Sequence, residues 1–338
     1  MQEILKLQQK IVPELMELLQ KRYNILRTIY YKQPIGRRIL ANSLELGERV
    51  VRTEINFLKK QNLIDIDTSG MTVTQEGEEI IDKLKSFIHE FKGLSEIEQL
   101  IKQHLNLKDV IVVPGDIEED RTVLEELGKS AAKYIKGLVK DSSIVALTGG
   151  STIKKVIDNM PKTLAHKDIL VVPARGGMGK NVETQANTLT ASLANKLGGS
   201  YKLLHVPDNI SDAALNTILN EKSVKDVIDS LHNADILIYG VGRADKMCVR
   251  RGCSLEETDA LLNKGAVGEA FGYYFNKNGE VVYSNPTIGL KDKDLKKVNF
   301  LVAVAGSRNK AEAIVATQIN NRNSVLITDE GAAREIVN

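Results

Sequence analysis

From Leu5 to Tyr31 apolar side chains recur at three- and four-residue steps (Leu15, Leu18, Leu19, Ile25, Leu26, Ile29), which predicts a helix with one buried face. Pro13 either begins this helix or interrupts it, and Pro34-Ile35-Gly36 ends the pattern. Residues 37–44 predict a short second helix with Ile39, Leu40 and Leu44 inward. Leu46-Gly47 reads as a tight turn, and Glu48 to Lys60 as a third helix with Val50, Val51, Ile55 and Leu58 inward. Leu63-Ile64-Asp65-Ile66 then alternates as a strand, Thr68-Ser69-Gly70 turns the chain, and Met71 to Thr74 returns antiparallel. A fourth helix opens at Thr74 to Glu78 and runs to about Phe91. Gly93 marks the boundary, giving domains over residues 1–92 and 93–338.

From about Leu105 the pattern changes. Short β-branched runs alternate with amphipathic helices: Val110–Val113, Ile144–Leu147, Ile169–Val172, Tyr201–Leu204, Ile236–Tyr239, Leu301–Ala305 and Val325–Thr328. Most are continuously apolar, as strands of a parallel sheet covered on both faces must be. The expected fold is α/β, a Rossmann-like parallel sheet with right-handed crossovers behind an N-terminal helical module.

A chain of 338 residues fits two domains, and its 42% apolar and 27% charged residues fit folded, water-soluble protein. No apolar run approaches the roughly 20 residues that span a bilayer, and the N-terminus lacks a secretory signal, so a cytoplasmic location is expected. Two cysteines, Cys248 and Cys253, are too few for a disulfide framework or a four-ligand zinc site, and ordinary thiols are expected. His89, His104, His166, His205 and His232 are scattered and share no ligand spacing, so no metal and no cofactor is expected.

Charge sharpens the picture once it is divided along the chain. Residues 21–60 carry Lys21, Arg22, Arg27, Lys32, Arg37, Arg38, Arg49, Arg52, Lys59 and Lys60 against Glu45, Glu48 and Glu54, a local excess of +7 in a chain of net charge +2. That block coincides with helix, short helix, Gly-containing turn, helix and two-stranded wing, the order of a winged helix-turn-helix. The third helix would present Glu48, Arg49, Arg52, Thr53 and Asn56 outward. Arg pairs bidentately with guanine and Asn with adenine, so this is a usable reading face for the major groove. Arg37, Arg38, Lys59 and Lys60 would sit near phosphates. The expected partner is double-stranded DNA, and two half-sites would require at least a dimer.

In the second domain several glycine-containing loops fall at strand ends, where open α/β sheets bind ligands. Ala146-Leu147-Thr148-Gly149-Gly150-Ser151-Thr152 precedes a helix expected near Ile153. It can cradle an anion with hydroxyls and helix N–H groups, although it lacks the Walker A ending. Val172 to Lys180 contains Arg175, Gly176, Gly177, Met178 and Gly179, and is followed by Asn181 to Gln185 opening a helix. Gly240-Val241-Gly242-Arg243 is followed by Arg250-Arg251, Gly265 by Gly268-Glu269, and Ala305-Gly306-Ser307-Arg308-Asn309-Lys310 ends a strand. Arg175, Arg250, Arg251 and Lys310 gathered at one rim would suit a small phosphorylated ligand, with Glu269 and Gln185 available to sugar hydroxyls.

Arg22-Tyr23-Asn24-Ile25-Leu26, Pro34-Ile35-Gly36-Arg37-Arg38, Glu48-Arg49-Val50-Val51-Arg52, Gly149-Gly150-Ser151-Thr152 and Arg175-Gly176-Gly177 together resemble the SorC/DeoR-type sugar-responsive bacterial regulators. The resemblance runs over nearly the whole chain. It implies that the second domain has the fold of phosphosugar isomerases and glucosamine-phosphate deaminases, used as a sensor. It implies fructose-1,6-bisphosphate as effector, with related phosphosugars as weaker ligands, and the operator of a glycolytic operon, for its triose-phosphate part, as target. The implied effector site is Gly149, Gly150, Ser151 and Thr152 as one phosphate cradle, Arg175 and Gln185, Arg250 and Arg251, Glu269 on sugar hydroxyls, and Lys310 on a phosphate. A homodimer or homotetramer would be released from DNA by the sugar. The alternative is a phosphosugar isomerase or deaminase. It is disfavoured because Glu269 and Asp245 are the nearby acids, no histidine falls in these loops, and a DNA-reading module has no purpose in such an enzyme.

Overall fold

The structure, a computed structural model, describes residues 11–177, 181–206, 217–285, 288–290, 292–318 and 322–338. The chain divides into two units, Met1–Glu96 with Glu119–Thr122, and Ile97–Glu118 with Val123–Asn338.

In the first unit Pro13 opens helix α1 (Pro13–Lys32), since a proline at the first helical position forfeits no hydrogen bond. Helices α2 (Arg37–Ser43) and α3 (Glu48–Lys60) follow, then strands β1 (Ile64–Ile66) and β2 (Met71–Val73), paired antiparallel with Asp65 opposite Thr72. Tyr23, Ile25, Leu26, Ile29, Leu40, Val51, Ile55, Leu58, Ile64 and Met71 make one core. The wing turn is closed by Asp67, whose carboxylate accepts from the Ser69 and Gly70 backbone N–H groups at 2.7 and 3.2 Å. Helix α4 (Gln75–Phe91) starts where expected, with Thr74 as its cap accepting from Gly77 N at 3.1 Å.

Three expected core positions are not core, Leu15 among them at 54% exposed. Ile39 is 61% and Val50 40% exposed, because the buried stripes of these short helices run through Leu40 and through Val51, Ile55 and Leu58. Between the last of these sits Glu54, buried, with Arg22 Nε at 2.8 Å and Lys21 Nζ at 3.0 Å. Arg22 also stacks on the Phe57 ring at 3.5 Å, and Arg27 is buried. Part of the basic block is therefore structural and not directed at a partner. Burial pushes the Glu54 carboxyl up, but the hydrogen bonds from Arg22 and Lys21, with their charges, prevail and hold it below the usual carboxylate range.

Helices α5 (Leu94–His104), α6 (Thr122–Leu138), α7 (Ser151–Asp158), α8 (Ala186–Leu197), α9 (Lys222–His232) and α10 (Ala244–Arg250) follow α4 among the described residues, and the second unit carries seven parallel strands. Five come first: β3 (Asp109–Val113), β4 (Ile144–Leu147), β5 (Leu170–Pro173), β6 (Ser200–Tyr201) and β7 (Ile236–Tyr239). A four-stranded antiparallel sheet of β8 (Gly242–Arg243), β9 (Ala266–Ala270), β10 (Tyr273–Asn276) and β11 (Val281–Ser284) then intervenes, before β12 (Phe300–Val304) and β13 (Ser324–Asp329) return to the main sheet. The main order is β3-β13-β12-β7-β4-β5-β6. All seven expected strands are present. Tyr201–Leu204 is the poorest match, reduced to the two-residue edge strand β6.

From β4 the chain winds outward to β5 and β6, whereas from β7 it winds the other way to β12 and β13. The carboxyl ends of β4 and β7 therefore flank a topological switch point, where diverging loops leave a crevice. The core beneath it is aliphatic, with Val145, Leu147, Ile153, Ile236, Ile238, Val302 and Val304 among its members.

The Glu54 pairing has a pH consequence. Its depressed pKa means that the stabilisation is present above the unfolded carboxylate value and is lost as pH falls through the folded one. Glu54→Gln is expected to cost about 1–2 kcal/mol near neutral pH and much less in acid. Urea unfolding of the full chain at both pH values checks this, and an equal cost at both would contradict it.

Candidate functional site

Glycines open the crevice. After β4 the chain enters α7 (Ser151–Asp158), two residues earlier than expected, with Gly150 as its cap at φ +127°. A side chain there would be strained. At Gly149 a Cβ would lie 2.5 Å from the Thr184 carbonyl, so only glycine permits that approach. Gly150 N–H donates to the same carbonyl at 2.9 Å. The first turn of α7 leaves its N–H groups directed at the crevice, with the positive end of the helix dipole behind them.

The cavity holds about 250 Å³. Of the residues expected to bind an effector, Gly149, Gly150, Ser151, Thr152, Arg175, Arg250, Glu269 and Lys310 line it. They come from four separate places: the β4 end, the β5 end, helix α10 (Ala244–Arg250) with strand β9, and the turn Arg308–Lys310 after β12. Thr148, Thr184, Arg243, Lys246 and Phe271 also line it and were not assigned to the effector site from the sequence. Lys246 was discoverable, because it lies one helical turn before Arg250 on the same helix and hence on the same face.

Two expected residues take other positions. Arg251 is buried outside the lining; its Nη2 donates to Glu269 Oε1 at 2.6 Å. Gln185 caps the helix Ala186–Leu197, preceded by a short turn of 3-10 helix at Val182–Thr184; its amide oxygen sits 2.9 Å from where a Gly177 Cβ would be. Met178, Gly179 and Lys180 lie outside the described residues. Glu269 is not in a loop but on β9, an inner strand of the antiparallel sheet that the sequence concealed because Ala266-Val267-Gly268-Glu269-Ala270 lacks the usual strand composition. Its Oε1 also accepts from Gly272 N at 2.7 Å and Arg175 Nη1 at 3.3 Å. Glu269 thus fixes two arginines and leaves its remaining lone pairs for a ligand hydroxyl.

Lys310 is the cation most affected by its surroundings. Burial pushes its ammonium below the ordinary lysine value and Arg250 adds to this, while Asp329 and Glu118 oppose both. Asp329 is itself pushed up by burial, although it accepts backbone hydrogen bonds from Ile117, Ser307 and Ala332. An arriving phosphate would supply the counter-charge that this lysine lacks.

The cysteines are not ordinary free thiols. Cys248 and Cys253 are paired, with Cα atoms 5.3 Å apart. Among the described residues no group of His, Cys, Asp and Glu is arranged to hold a metal, and no helix is long and apolar enough to cross a membrane.

In the first unit Glu48, Arg49, Arg52, Thr53 and Asn56 are all exposed along one side of α3, and Arg37 and Arg38 are exposed on α2. Arg38 reaches Glu48 at 3.3 Å, and Thr53 Oγ1 donates to the Arg49 carbonyl at 3.1 Å.

A winged helix joined to an α/β domain with an anion-shaped crevice is the build of a ligand-responsive transcriptional regulator. The comparisons agree. A family of sugar-binding domains matches residues 89–338, and the CggR N-terminal DNA binding domain matches residues 18–88. The chain is 46% identical to the central glycolytic genes regulator of Priestia megaterium over all of this chain and 99% of that protein. It is 43% identical to that of Bacillus subtilis at the same coverage. A SorC family regulator from Enterococcus faecalis superposes with TM-score 0.67 at 38% identity, over 72% of this chain and all of that one. The full-length sorbitol operon regulator SorC of Klebsiella pneumoniae, 19% identical, shares the fold at TM-score 0.68 over 96% and 99% of the two chains. The chain belongs to the SorC family of transcriptional regulators, in the group of the central glycolytic genes regulators. These relatives are regulators, not enzymes, which removes the isomerase alternative.

Anion binding to Lys310 favours its charged form, so affinity for a sugar phosphate should fall as pH rises through the lowered lysine pKa, earlier than an ordinary lysine would cause. Calorimetric titrations across the alkaline range check this. Lys310→Gln should bind more weakly and lose this alkaline dependence, and an unchanged pH profile in that variant would contradict the assignment.

Proposed function

We infer that the chain represses a glycolytic operon by binding its operator as a homodimer or homotetramer, and that fructose-1,6-bisphosphate releases it. The observation that carries this reading is the crevice itself. Cations from two strand ends and one helix (Arg175, Lys310, and Lys246 with Arg250) surround a glycine-capped helix start, beside a buried carboxylate suited to hydroxyls. Two anionic groups on a hydroxylated carbon chain match that arrangement better than a neutral sugar does. The glycolytic target follows the names of the Priestia and Bacillus relatives.

One phosphate would rest on Gly149, Gly150, Ser151 and Thr152, where backbone N–H groups and two hydroxyls donate. Arg250 and Lys310 would take the other, and Glu269 would accept from sugar hydroxyls while keeping Arg175 in place. The reading face of α3 would supply base contacts through Arg49, Arg52 and Asn56, with Glu48 and Thr53 beside them and Arg37 and Arg38 on phosphates. Release requires that the sugar bind the arrangement with weak DNA affinity better than the other; coupling of this kind is typically about 1–3 kcal/mol.

The test is fluorescence anisotropy of operator DNA at fixed salt, titrated with protein and then with the bisphosphate. Sequence-specific binding that weakens with the bisphosphate but not with inorganic phosphate is expected. Specific binding with no sugar effect would discard the ligand. Arg52→Ala or Asn56→Ala should cost about 1–3 kcal/mol in operator binding and relax base preference. An equal loss on every sequence would assign them to phosphates. Arg250→Ala should weaken the bisphosphate by about 1.5–3 kcal/mol and leave operator binding intact; a normal sugar response would remove it from the site.

A further inference from the structure

Cys248 lies in the last turn of α10 and Cys253 just beyond the helix end. The backbone between them closes in a defined way. Gly252, at φ +84°, takes the left-handed conformation. Its N–H donates to the Val249 carbonyl at 3.0 Å, and the Cys253 N–H donates to the Cys248 carbonyl at 3.1 Å. These are the two bonds of a Schellman helix terminus. That motif sets the third residue from the helix end against the second residue past the cap, commonly through an apolar contact. Here those two positions are the cysteines. The backbone motif alone places their Cα atoms within the 4.4–6.8 Å that a disulfide spans, and the sulfurs are bonded.

The ring so closed contains Val249, Arg250, Arg251 and Gly252. Arg250 lines the crevice, and Arg251 donates to Glu269, the carboxylate that also holds Arg175. Opening or closing this ring therefore acts on the segment that carries the cationic wall of the site. Cys253 is partly exposed, whereas Cys248 is 3% exposed. A small reagent reaches one sulfur, and the second sulfur waits beside it.

We propose that Cys248 and Cys253 form a reversible thiol–disulfide site, oxidised by low-molecular-weight disulfides, whose closure fixes the Arg250–Arg251 turn and tightens the crevice around its ligand. From the dithiol, the Cys253 thiolate attacks the reagent RSSR, giving a Cys253 mixed disulfide and one RS⁻. The Cys248 thiolate then attacks Cys253 Sγ and expels the second RS⁻. The two cysteines lose two electrons and two protons, and the reagent is reduced to two thiols. Excess thiol reverses the sequence.

The ligand effect rests on the effector reading given above, so the experiment carries two separate readouts. Full-length protein is equilibrated in glutathione buffers from fully reduced to fully oxidised. The chain has 2 cysteines, so the thiol titre reports this pair alone. The titre should pass from two to zero per chain with no glutathione mass retained, a tryptic peptide pair joined through Cys248 and Cys253 should appear, and dithiothreitol should restore both thiols. Fructose-1,6-bisphosphate should bind about five- to tenfold tighter to the oxidised form, and Cys253→Ser should abolish that dependence. Thiols that stay free at the oxidising end, a glutathione adduct that never resolves, or equal affinity in both forms would overturn the proposal. If neither form binds the bisphosphate, the effector reading is what fails; the thiol titre then decides, a closing pair upholding the redox site and an open one overturning it.

Discussion

A multiply charged anion can be held inside a protein only where backbone N–H groups and cations converge with no side chain between them and the ligand. The crevice of the second domain meets that constraint. The switch of winding direction at β4 and β7 supplies the crevice, Gly149 lets the chain pass close to Thr184, and Gly150 takes the positive φ at the helix start. The start of α7 supplies the N–H groups. Cations brought in from distant points of the sequence must then be held in place in a partly desolvated rim. Glu269 does this for Arg175 and Arg251. Asp329 and Glu118 oppose the cost of burying Lys310 without fully offsetting it. That residual imbalance would favour an anion arriving from water.

The DNA-reading unit solves a different problem, with its charges divided between two tasks. Arg22 and Lys21 turn inward onto Glu54, and Arg22 stacks on Phe57, so they hold α1 to α3. Arg49, Arg52 and Asn56 remain exposed on the opposite side of α3. These side chains are therefore carried on a helix whose other side is fixed by packing and by an ion pair, so contact with bases would not need to order it first. On the proposed reading the sugar would act by shifting the population of whole arrangements, since the crevice is lined by the second unit's residues alone.

The main architecture was legible because it rests on period and composition. Seven β-branched apolar runs predicted seven sheet strands, and the alternation at Leu63–Ile66 and Met71–Thr74 predicted the wing. What escaped was structure whose signal is not local. Strands β8 and β9 carry glycines and are held by pairing within a separate antiparallel sheet, so Glu269 read as part of a loop. Lys246 carries no motif of its own and reaches the crevice by its helical spacing from Arg250. The cysteine pair has a five-residue separation that matches no redox motif, and only the left-handed Gly252 turn explains why the two sulfurs meet. Ile39 and Val50 were misplaced because one apolar letter in a short helix does not fix which side is buried.

The central claim is that sugar and operator compete through the protein's own conformational equilibrium. Linkage makes this reciprocal: the factor by which the sugar weakens operator binding must equal the factor by which operator weakens sugar binding. Calorimetric titration of fructose-1,6-bisphosphate into the free protein and into the operator-saturated protein measures the second factor directly. The predicted result is weaker sugar binding to the DNA complex, by the same ratio found for the operator. Equal sugar affinity in the two titrations would contradict the claim.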